Sequence, residues 1–270
     1  MDLAVIALIV LVAVAVSVGL MYAARRVTKT ESLLADSTHG SGIFGMVGTG
    51  YAVLLAFVIL VAFQGYNNAR EGAETEAVAV TEMSRSGRFF AEADRRRLQG
   101  QLACYGRAVV EREWPAMNDG QSSQVVEGWV LRLADTYSAI GLADATQQAA
   151  FSQLLEQRDE RVTGRRERLG EARDVVPQPV WFILAIGGLA TILCVLVFTS
   201  RRESFYVQGA LMGMVAATVV AGLLLVWILS HPFEGKSGSV TPAEMERTLV
   251  TIAEESPDVT PPCDSAGKPA

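Results

Sequence analysis

The stretch IFGMVGTGYAVLLAFVILVAFQGY, from Ile43 to Tyr66, contains no charged side chain. A bilayer core is about 30 Å thick, and a helix needs about 20 apolar residues to cross it. Three more stretches meet this length, Leu3 to Tyr22, Val180 to Ser200 and Phe205 to Phe233. Because backbone polar groups in lipid must be satisfied within the segment, each stretch is expected to form a helix. The sequence therefore predicts an all-α integral membrane protein with four transmembrane helices in two pairs.

The charged residues are concentrated between the two pairs of apolar stretches. Of the 270 residues 19% are charged, and Asn67 to Gln178 holds 15 Lys/Arg and 18 Asp/Glu. The chain is predicted to comprise a first transmembrane pair (1–66), a polar helical insert (67–178), a second transmembrane pair (179–233) and a polar tail (234–270). A net charge of −6 argues against nucleic acid as a partner, because nucleic acid binds clustered basic surfaces. The expected partner is the lipid bilayer of the cell (inner) membrane, which the chain crosses several times.

The first part of the insert is predicted to extend the second transmembrane helix. The sequence after Tyr66 consists of strong helix formers without a proline, so we expect one rod that runs out of the membrane toward Arg97 or beyond. The pattern then breaks at Pro115 and at Asn118-Asp-Gly, which are typical of turns. The insert is therefore expected to begin as an extension of a membrane helix.

Three further helices are predicted beyond this turn. Gln124 to Ile140 carries an apolar stripe, and Asp144 is suited to cap a helix that runs to about Arg173. A short helix through Ile252 is expected in the tail. After about residue 254 the tail is Pro-rich and polar, so we expect it to be disordered.

Residues that bind metals are sparse. Cys104, Cys194 and Cys263 share no spacing typical of a metal site, and the histidines are His39 and His231. We interpret the three thiols as structural and expect neither a metal nor a cofactor.

The sequence also lacks the motifs of common enzyme classes, namely G-x-S-x-G, H-E-x-x-H, the P-loop and the Rossmann fingerprint. Glu111 and Glu113 lie two residues apart, so on a helix they point to different faces, and we interpret them as surface acids. The arginine clusters Arg95–Arg97 and Arg165–Arg166 lie among acids and are interpreted as solvated helix faces. No catalytic residue is predicted, and an enzyme is the least favoured function.

Several motifs resemble those of one bacterial family. They are the VLLAF stretch that begins at Val53, the YNNARE segment that begins at Tyr66, the EWPAM turn that begins at Glu113, and HPFEG directly after the last apolar stretch. Together with four segments in two pairs, they resemble the bestrophin-like domain family over about residues 1 to 250. The residues that carry the resemblance are Tyr66, Arg70, Trp114, Pro115, Pro232, Phe233 and Gly235.

The bestrophin-like family is similar in turn to the bestrophins, which are pentameric anion channels. In bestrophins the second membrane helix lines the pore, so the resemblance implies this role for the second apolar stretch. The candidates for a hydrophobic constriction are Leu55, Phe57, Leu60 and Phe63. The sequence has Ala56 where bestrophins have glycine. It also lacks their acidic calcium-clasp run and their Arg-Trp-Trp run, so calcium gating is not implied.

Two functions remain open at this point. One is a homo-oligomeric channel with a small anion as the permeant species. The alternative is a non-conducting membrane scaffold or sensor, whose helical insert binds a partner through the exposed features Trp114, Trp129 and Arg95–Arg97. The first requires self-association, and the second does not.

The orientation in the membrane also remains open. Arg25, Arg26 and Lys29 follow the first apolar stretch, and Arg201 and Arg202 follow the third. The positive-inside rule places these short loops in the cytoplasm and the polar insert outside, although Arg70, Arg173 and Lys236 flank the opposite side. The resemblance implies the opposite, since the segment between helices two and three of bestrophins is cytoplasmic.

Overall fold

A computed structural model describes residues 2–27, 37–173, 176–197, 204–234 and 238–270. Over these ranges the chain is built from α-helices and contains no strand. Four helices, α1, α2, α7 and α8, are long and apolar enough to cross a bilayer. The predicted all-α fold with four membrane-spanning helices is therefore confirmed. The helices are α1 (Leu3–Val27), α2 (Ser37–Ser86), α3 (Glu92–Ala108), α4 (Trp114–Met117), α5 (Gln124–Ala139), α6 (Ala145–Gly170), α7 (Gln178–Val197), α8 (Phe205–Ser230) and α9 (Ala243–Glu255).

The chain divides into two compact units. The membrane unit contains Met1–Gln64, Val175–Ser230 and Lys236–Gly238. The polar unit contains Gly65–Asp174, His231–Gly235 and Ser239–Ala270. Helix α2 contributes its first part to the membrane unit and its last part to the polar unit.

The membrane unit is held together where glycines meet bulky side chains. A Cβ atom on Gly222 of α8 would lie 2.6 Å from Cδ2 of Leu55 on α2. One on Gly188 of α7 would lie 3.0 Å from the hydroxyl of Tyr51, also on α2. Helix α8 likewise presents Gly213 to α1. Since lipid tails are as apolar as the side chains, such close packing is what associates helices in a membrane.

The polar unit has an apolar core between α3, α5 and α9, in which Leu102, Val126 and Ile252 are buried. Helices α5 and α6 lie where the sequence predicts them. The side chain of Asp144 accepts a hydrogen bond from the backbone N–H of Gln147 (2.8 Å) and caps α6 as expected.

The predicted rod is shorter than expected. Helix α2 ends at Ser86, and a 3-10 turn over Gly87–Phe89 follows it. A Cβ atom on Gly87 would lie 3.3 Å from Cδ2 of Leu98. The glycine therefore stands where α3 packs close to the end of α2, and the rod does not reach Arg97.

The segment around Pro115 is also more helical than predicted. Helix α3 continues through one π turn, Val109–Glu113, into α4, and Pro115 lies in the first turn of α4. Proline has no N–H to donate, so a widened turn before it is one way to continue the helix. The chain leaves the helix only after Met117, and Gly120 takes a positive φ of 66°.

The tail is ordered, contrary to the expectation of disorder after about residue 254. Cys104 of α3 and Cys263 of the tail form a disulfide, with their Cα atoms 5.8 Å apart. The indole Nε1 of Trp129 donates to the carbonyl of Gly267 (2.6 Å), so Trp129 is buried rather than exposed. The composition of the tail predicted disorder because the tail has too few apolar residues to form a core of its own. Instead, the tail packs against the core of the polar unit through Cys263 and Gly267.

Candidate functional site

Helix α2 buries one stripe of side chains within the membrane unit. Tyr51, Leu55, Val58 and Ala62 follow a 4–3–4 spacing, which keeps them on one face, and they form a core with residues of α7 and α8. Leu55 is only 8% exposed. Of the four constriction candidates, Leu55 thus packs inside its own chain.

The other three candidates lie on an exposed part of α2. Phe57 is 67% exposed, Leu60 51% and Phe63 47%. They recur every three residues, so they form an apolar surface along about two turns of helix. We call this surface the α2 face. It is not covered by any of the described helices of the membrane unit.

The family-motif residues Trp114 and Phe233 meet in the polar unit. Their rings pack edge to face with centroids 5.6 Å apart, and Tyr66 packs against the same small cluster. Pro232 is buried beside them, and its carbonyl accepts a hydrogen bond from Val240 N–H (2.7 Å). These motifs therefore join segments that are distant in sequence.

Two other motif residues, Arg70 and Pro115, are exposed and lie outside this cluster. The Nε of Arg70 donates to Glu74 Oε1 (2.8 Å) one turn further along α2. Gly235 lies outside the described residues.

Behind the Trp114 ring lies a buried ion network. The guanidinium of Arg168 sits 5.1 Å from the centre of that ring. Its Nε donates to Glu76 Oε2 (2.6 Å) and its Nη2 to Glu113 Oε2 (2.8 Å). Arg168 and Glu113 are fully buried and Glu76 nearly so. One arginine thus connects α2, the π turn and α6.

Arg165, one turn before Arg168 on α6, completes the pairing of Glu113. Its Nη2 donates to Glu113 Oε1 (2.7 Å), and its Nη1 lies 3.0 Å from Glu127 Oε1. Burial alone would raise the pKa of Glu113, but the hydrogen bonds and charges of Arg165 and Arg168 outweigh it and the pKa is lowered. Glu113 is therefore ionised at neutral pH.

Two tyrosines border the network. Tyr105 donates to Glu76 Oε1 (2.5 Å), and its ring lies 4.8 Å from the guanidinium carbon of Arg161. Burial raises the pKa of Tyr137 to about 12. Both hydroxyls are therefore protonated at neutral pH.

The sequence patterns do not reveal this network. The predictions of Glu113 as a surface acid and of Arg165 as part of a solvated face are wrong, because both side chains are buried. The arginines and acids are distant in sequence, and a mixed run such as that around Arg165 is typical of exposed helices. Arg161, Arg165 and Arg168 do recur at 4 and 3 residues, which was the available signal for one helix face.

Two glycines allow the network to form. A Cβ atom on Gly164 of α6 would lie 2.6 Å from the backbone nitrogen of Glu76, and one on Gly72 of α2 would lie 2.7 Å from the carbonyl oxygen of Gly164. The two helix backbones are thus in direct contact. Because α2 and α6 approach each other this closely, the side chain of Arg168 on α6 can hydrogen-bond to Glu76 on α2.

The network is suited to hold helices in register rather than to perform chemistry. Its carboxylates are both tied to guanidinium groups. Within the described ranges, no group of three or more His, Cys, Asp or Glu side chains is placed to hold a metal ion.

The sequence and fold have recognisable relatives. Residues 11–245 match the profile of the Bestrophin-like domain. The chain belongs to the Bestrophin-like family. This match confirms the resemblance found in the sequence motifs. A search of curated proteins found no match to this chain.

Solved structures show the same fold. The chain is similar to a variant of a bacterial bestrophin homologue from Klebsiella pneumoniae, with a TM-score of 0.69 and 14% identity over 92% of this chain and 98% of that one. A second crystal structure of a bestrophin homologue from that organism gives a TM-score of 0.68 and 15% identity, covering 93% and 99%. At this identity, the similarity establishes the shared architecture of the bestrophin-like fold.

Proposed function

We propose that this bestrophin-like protein is a homo-oligomeric anion channel of the cell membrane, in which the α2 face lines the pore. The observation that carries the proposal is the exposure of Phe57, Leu60 and Phe63 on one helix of a chain with this family and fold. A ring of copies would bring these side chains together around an axis. Bulky apolar rings of this kind gate pores by dewetting.

The charge distribution supports a passive pathway for anions. Gly40 to Ala69 contains no charged residue, and neither does Ser204 to Phe233. Proton-coupled pumps carry ionisable side chains along their pathways, so a pump is disfavoured. With no carboxylate in these spans to attract cations, helix ends and backbone dipoles are left to select the ion.

Flux through reconstituted vesicles tests the proposal. The purified full chain is placed in liposomes, and chloride or iodide efflux is followed. We expect flux above that of empty vesicles. Phe57→Ser and Leu60→Ser should raise it severalfold, because a polar side chain keeps the constriction wet.

The matched control is Phe182→Ser on α7. Phe182 is 68% exposed, as Phe57 is, but it does not lie on α2. An equal change in the control would contradict the pore position of the α2 face. Absence of flux across pH and voltage would contradict the channel.

Oligomeric state separates the channel from the scaffold. A stable ring in detergent supports the channel, and a monomer or dimer supports a non-conducting scaffold. The scaffold has lost one of its expected contact residues, since Trp129 is buried.

A further inference from the structure

The polar unit contains a disulfide, and the cysteines of the chain differ in their pairing according to where they lie. The sequence has three cysteines. Cys194 lies in the membrane-spanning helix α7 and is unpaired, whereas Cys104 and Cys263 are paired with each other. Both cysteines outside the membrane spans are thus oxidised, although 159 residues separate them.

The disulfide is integrated into the structure around it. Cys104 is fully buried in the core of the polar unit. The tail that carries Cys263 is also fixed by Asp258, which accepts from Arg95 (2.6 Å), and by the Gly267 carbonyl on Trp129. Disulfides persist in oxidising compartments and are rare in the cytosol, where thiols are kept reduced. We infer that the polar unit lies on the extracytoplasmic side of the membrane.

Charge in the short loops independently supports this orientation. The stretch between α1 and α2 and the one between α7 and α8 carry Lys29, Arg201 and Arg202, and α1 ends with Arg25 and Arg26. Four spans place these two loops on one side and the polar unit on the other. Lysine and arginine accumulate in short cytoplasmic loops.

The arginines of the polar unit do not oppose this assignment. The segment between α2 and α7 exceeds the loop length, about 60 residues, over which the charge rule is effective. Arg70 is paired with Glu74, and Arg168 is buried between Glu76 and Glu113. The inferred orientation is opposite to the one that the resemblance to bestrophins implied. It does not depend on channel activity, because a pore conducts in either orientation.

Labelling of single cysteines in intact cells tests the inference. Cys194→Ala removes the free thiol and leaves the disulfide in place. Into this background we would introduce Ser122→Cys, at an exposed position of the polar unit, or Ser32→Cys, in the stretch of sequence between α1 and α2. A membrane-impermeant maleimide should label the first in intact cells and the second only after permeabilisation. The reverse pattern, or labelling of both in intact cells, would overturn the inference.

The oxidation state gives a second readout on the native chain. Cells are quenched in acid and alkylated with a maleimide of high mass. We expect Cys104 and Cys263 to resist alkylation unless a reductant is added first. Alkylation of both without reductant would overturn the inference.

Arg161 differs from the other buried arginines of the ion network in its pairing. The buried charged side chains of the described residues are Glu76 and Glu113, against Arg161, Arg165 and Arg168. Arg165 and Arg168 pair with carboxylates, whereas Arg161 forms no ion pair within the described residues. It is 2% exposed, and its Nε and Nη1 have no hydrogen-bond partner among the described residues.

Arg161 borders a cavity of about 470 Å³ within the polar unit. Arg165, Arg166 and Arg173 also line it, and the rest of its wall is largely apolar. Among the described residues no carboxylate lines the cavity, although Glu127 pairs with Arg165 nearby. Guanidinium groups donate in a fork that matches carboxylate and phosphate oxygens. We propose that this cavity binds a small oxyanion, which pairs with the guanidinium of Arg161.

Thermal unfolding of the full chain in detergent, with sulfate, phosphate or acetate added at constant ionic strength, tests this second proposal. A ligand that binds the folded state raises the midpoint in a saturable way. We expect this rise in the native chain and in Arg158→Gln, an exposed control on α6 that does not line the cavity. The double variant Arg166→Gln/Arg173→Gln should weaken binding roughly tenfold or more, since it removes two charged donors.

Arg161→Met gives an independent arm of the same experiment. Without added anion it should unfold no earlier than the native chain, because it removes a buried unpaired charge, and it should show no saturable rise. The proposal is overturned if the native chain shows no saturable rise, or if the rise is equal in the double variant. An equal rise would indicate a general salt effect.

Discussion

Helix α2 buries different kinds of residue in the two units of this protein. In the membrane unit α2 buries Tyr51 and Leu55 against glycines of α7 and α8, while equally apolar residues such as Phe57 face outward. In the polar unit the same helix, about five turns beyond Phe57, buries Glu76 against Arg168. A single helix thus buries apolar side chains in one unit and part of an ion network in the other.

The difference follows from the solvent of each unit. In lipid there is no hydrophobic driving force that buries apolar side chains between helices. The membrane unit therefore depends on close packing between small and large residues. Water drives apolar side chains such as Leu102 into the core of the polar unit. Buried ion pairs give little net stability, but breaking one is costly, so they fix which helices pair.

The largest effect should come from removing the central arginine. Arg168→Met leaves Glu76 and Glu113 without their shared partner in a buried site. We expect a loss of about 3–5 kcal/mol in the free energy of unfolding of the polar unit. Faster hydrogen exchange in α6 of the purified full chain would report it. In Arg158→Met, which breaks an exposed pair with Asp159, the loss should stay below about 1 kcal/mol. Equal losses in the two variants would contradict the distinction between buried and exposed pairs.

A somewhat smaller loss is expected without the disulfide. Cys104→Ala with Cys263→Ala frees the tail from α3, and removing a native disulfide costs about 2–5 kcal/mol. Limited proteolysis should cleave the variant after α9, while the native chain resists until a reductant is added. Persistent resistance in the variant would show that Trp129 and Arg95 hold the tail alone.

The contact between α2 and α6 should be destabilised by a methyl group at Gly164. Gly164→Ala would place its Cβ atom against the backbone of Glu76, and we expect a loss of about 1–3 kcal/mol. Gly128→Ala on α5 faces open space and should stabilise by up to about 1 kcal/mol, because alanine is the better helix former. Thermal midpoints of the two variants should therefore shift in opposite directions.

Acid should weaken the polar unit through a smaller effect at Glu113. Because its pKa in the folded state is lowered, its ion pairs contribute fully above the ordinary glutamate pKa of about 4.3. That contribution is lost as the pH falls through the folded-state value. Glu113→Gln should be less stable at pH 7 and lose less on acidification than the native chain.

The matched control for this pH series is Glu111→Gln, which changes an exposed acid two residues away. It should retain the acid dependence of the native chain. A native-like slope in Glu113→Gln would contradict the lowered pKa.

Much of this architecture was predictable, and the reasons are physical. Helices α1, α7 and α8 follow from apolar length alone, since lipid leaves a chain few alternatives to helix. The cap at Asp144 followed from local chemistry. The motif around Trp114 indicated the family but not its contact with Phe233, because two segments more than a hundred residues apart were involved.

The interior of the polar unit was not predictable in the same way. The pairing of Glu113 with Arg165 depends on the close approach of two helices at Gly72 and Gly164, which spacing within one segment does not reveal. The order of the tail depends on a partner for Cys263 that lies 159 residues earlier in the chain. Composition describes each segment alone, and these features belong to pairs of segments.

A structure of the assembled protein in lipid nanodiscs tests the central claim most directly. The proposed channel predicts a closed ring of copies in which Phe57, Leu60 and Phe63 of each α2 point toward a common axis. A single copy, or a ring in which these side chains contact only lipid, would contradict it.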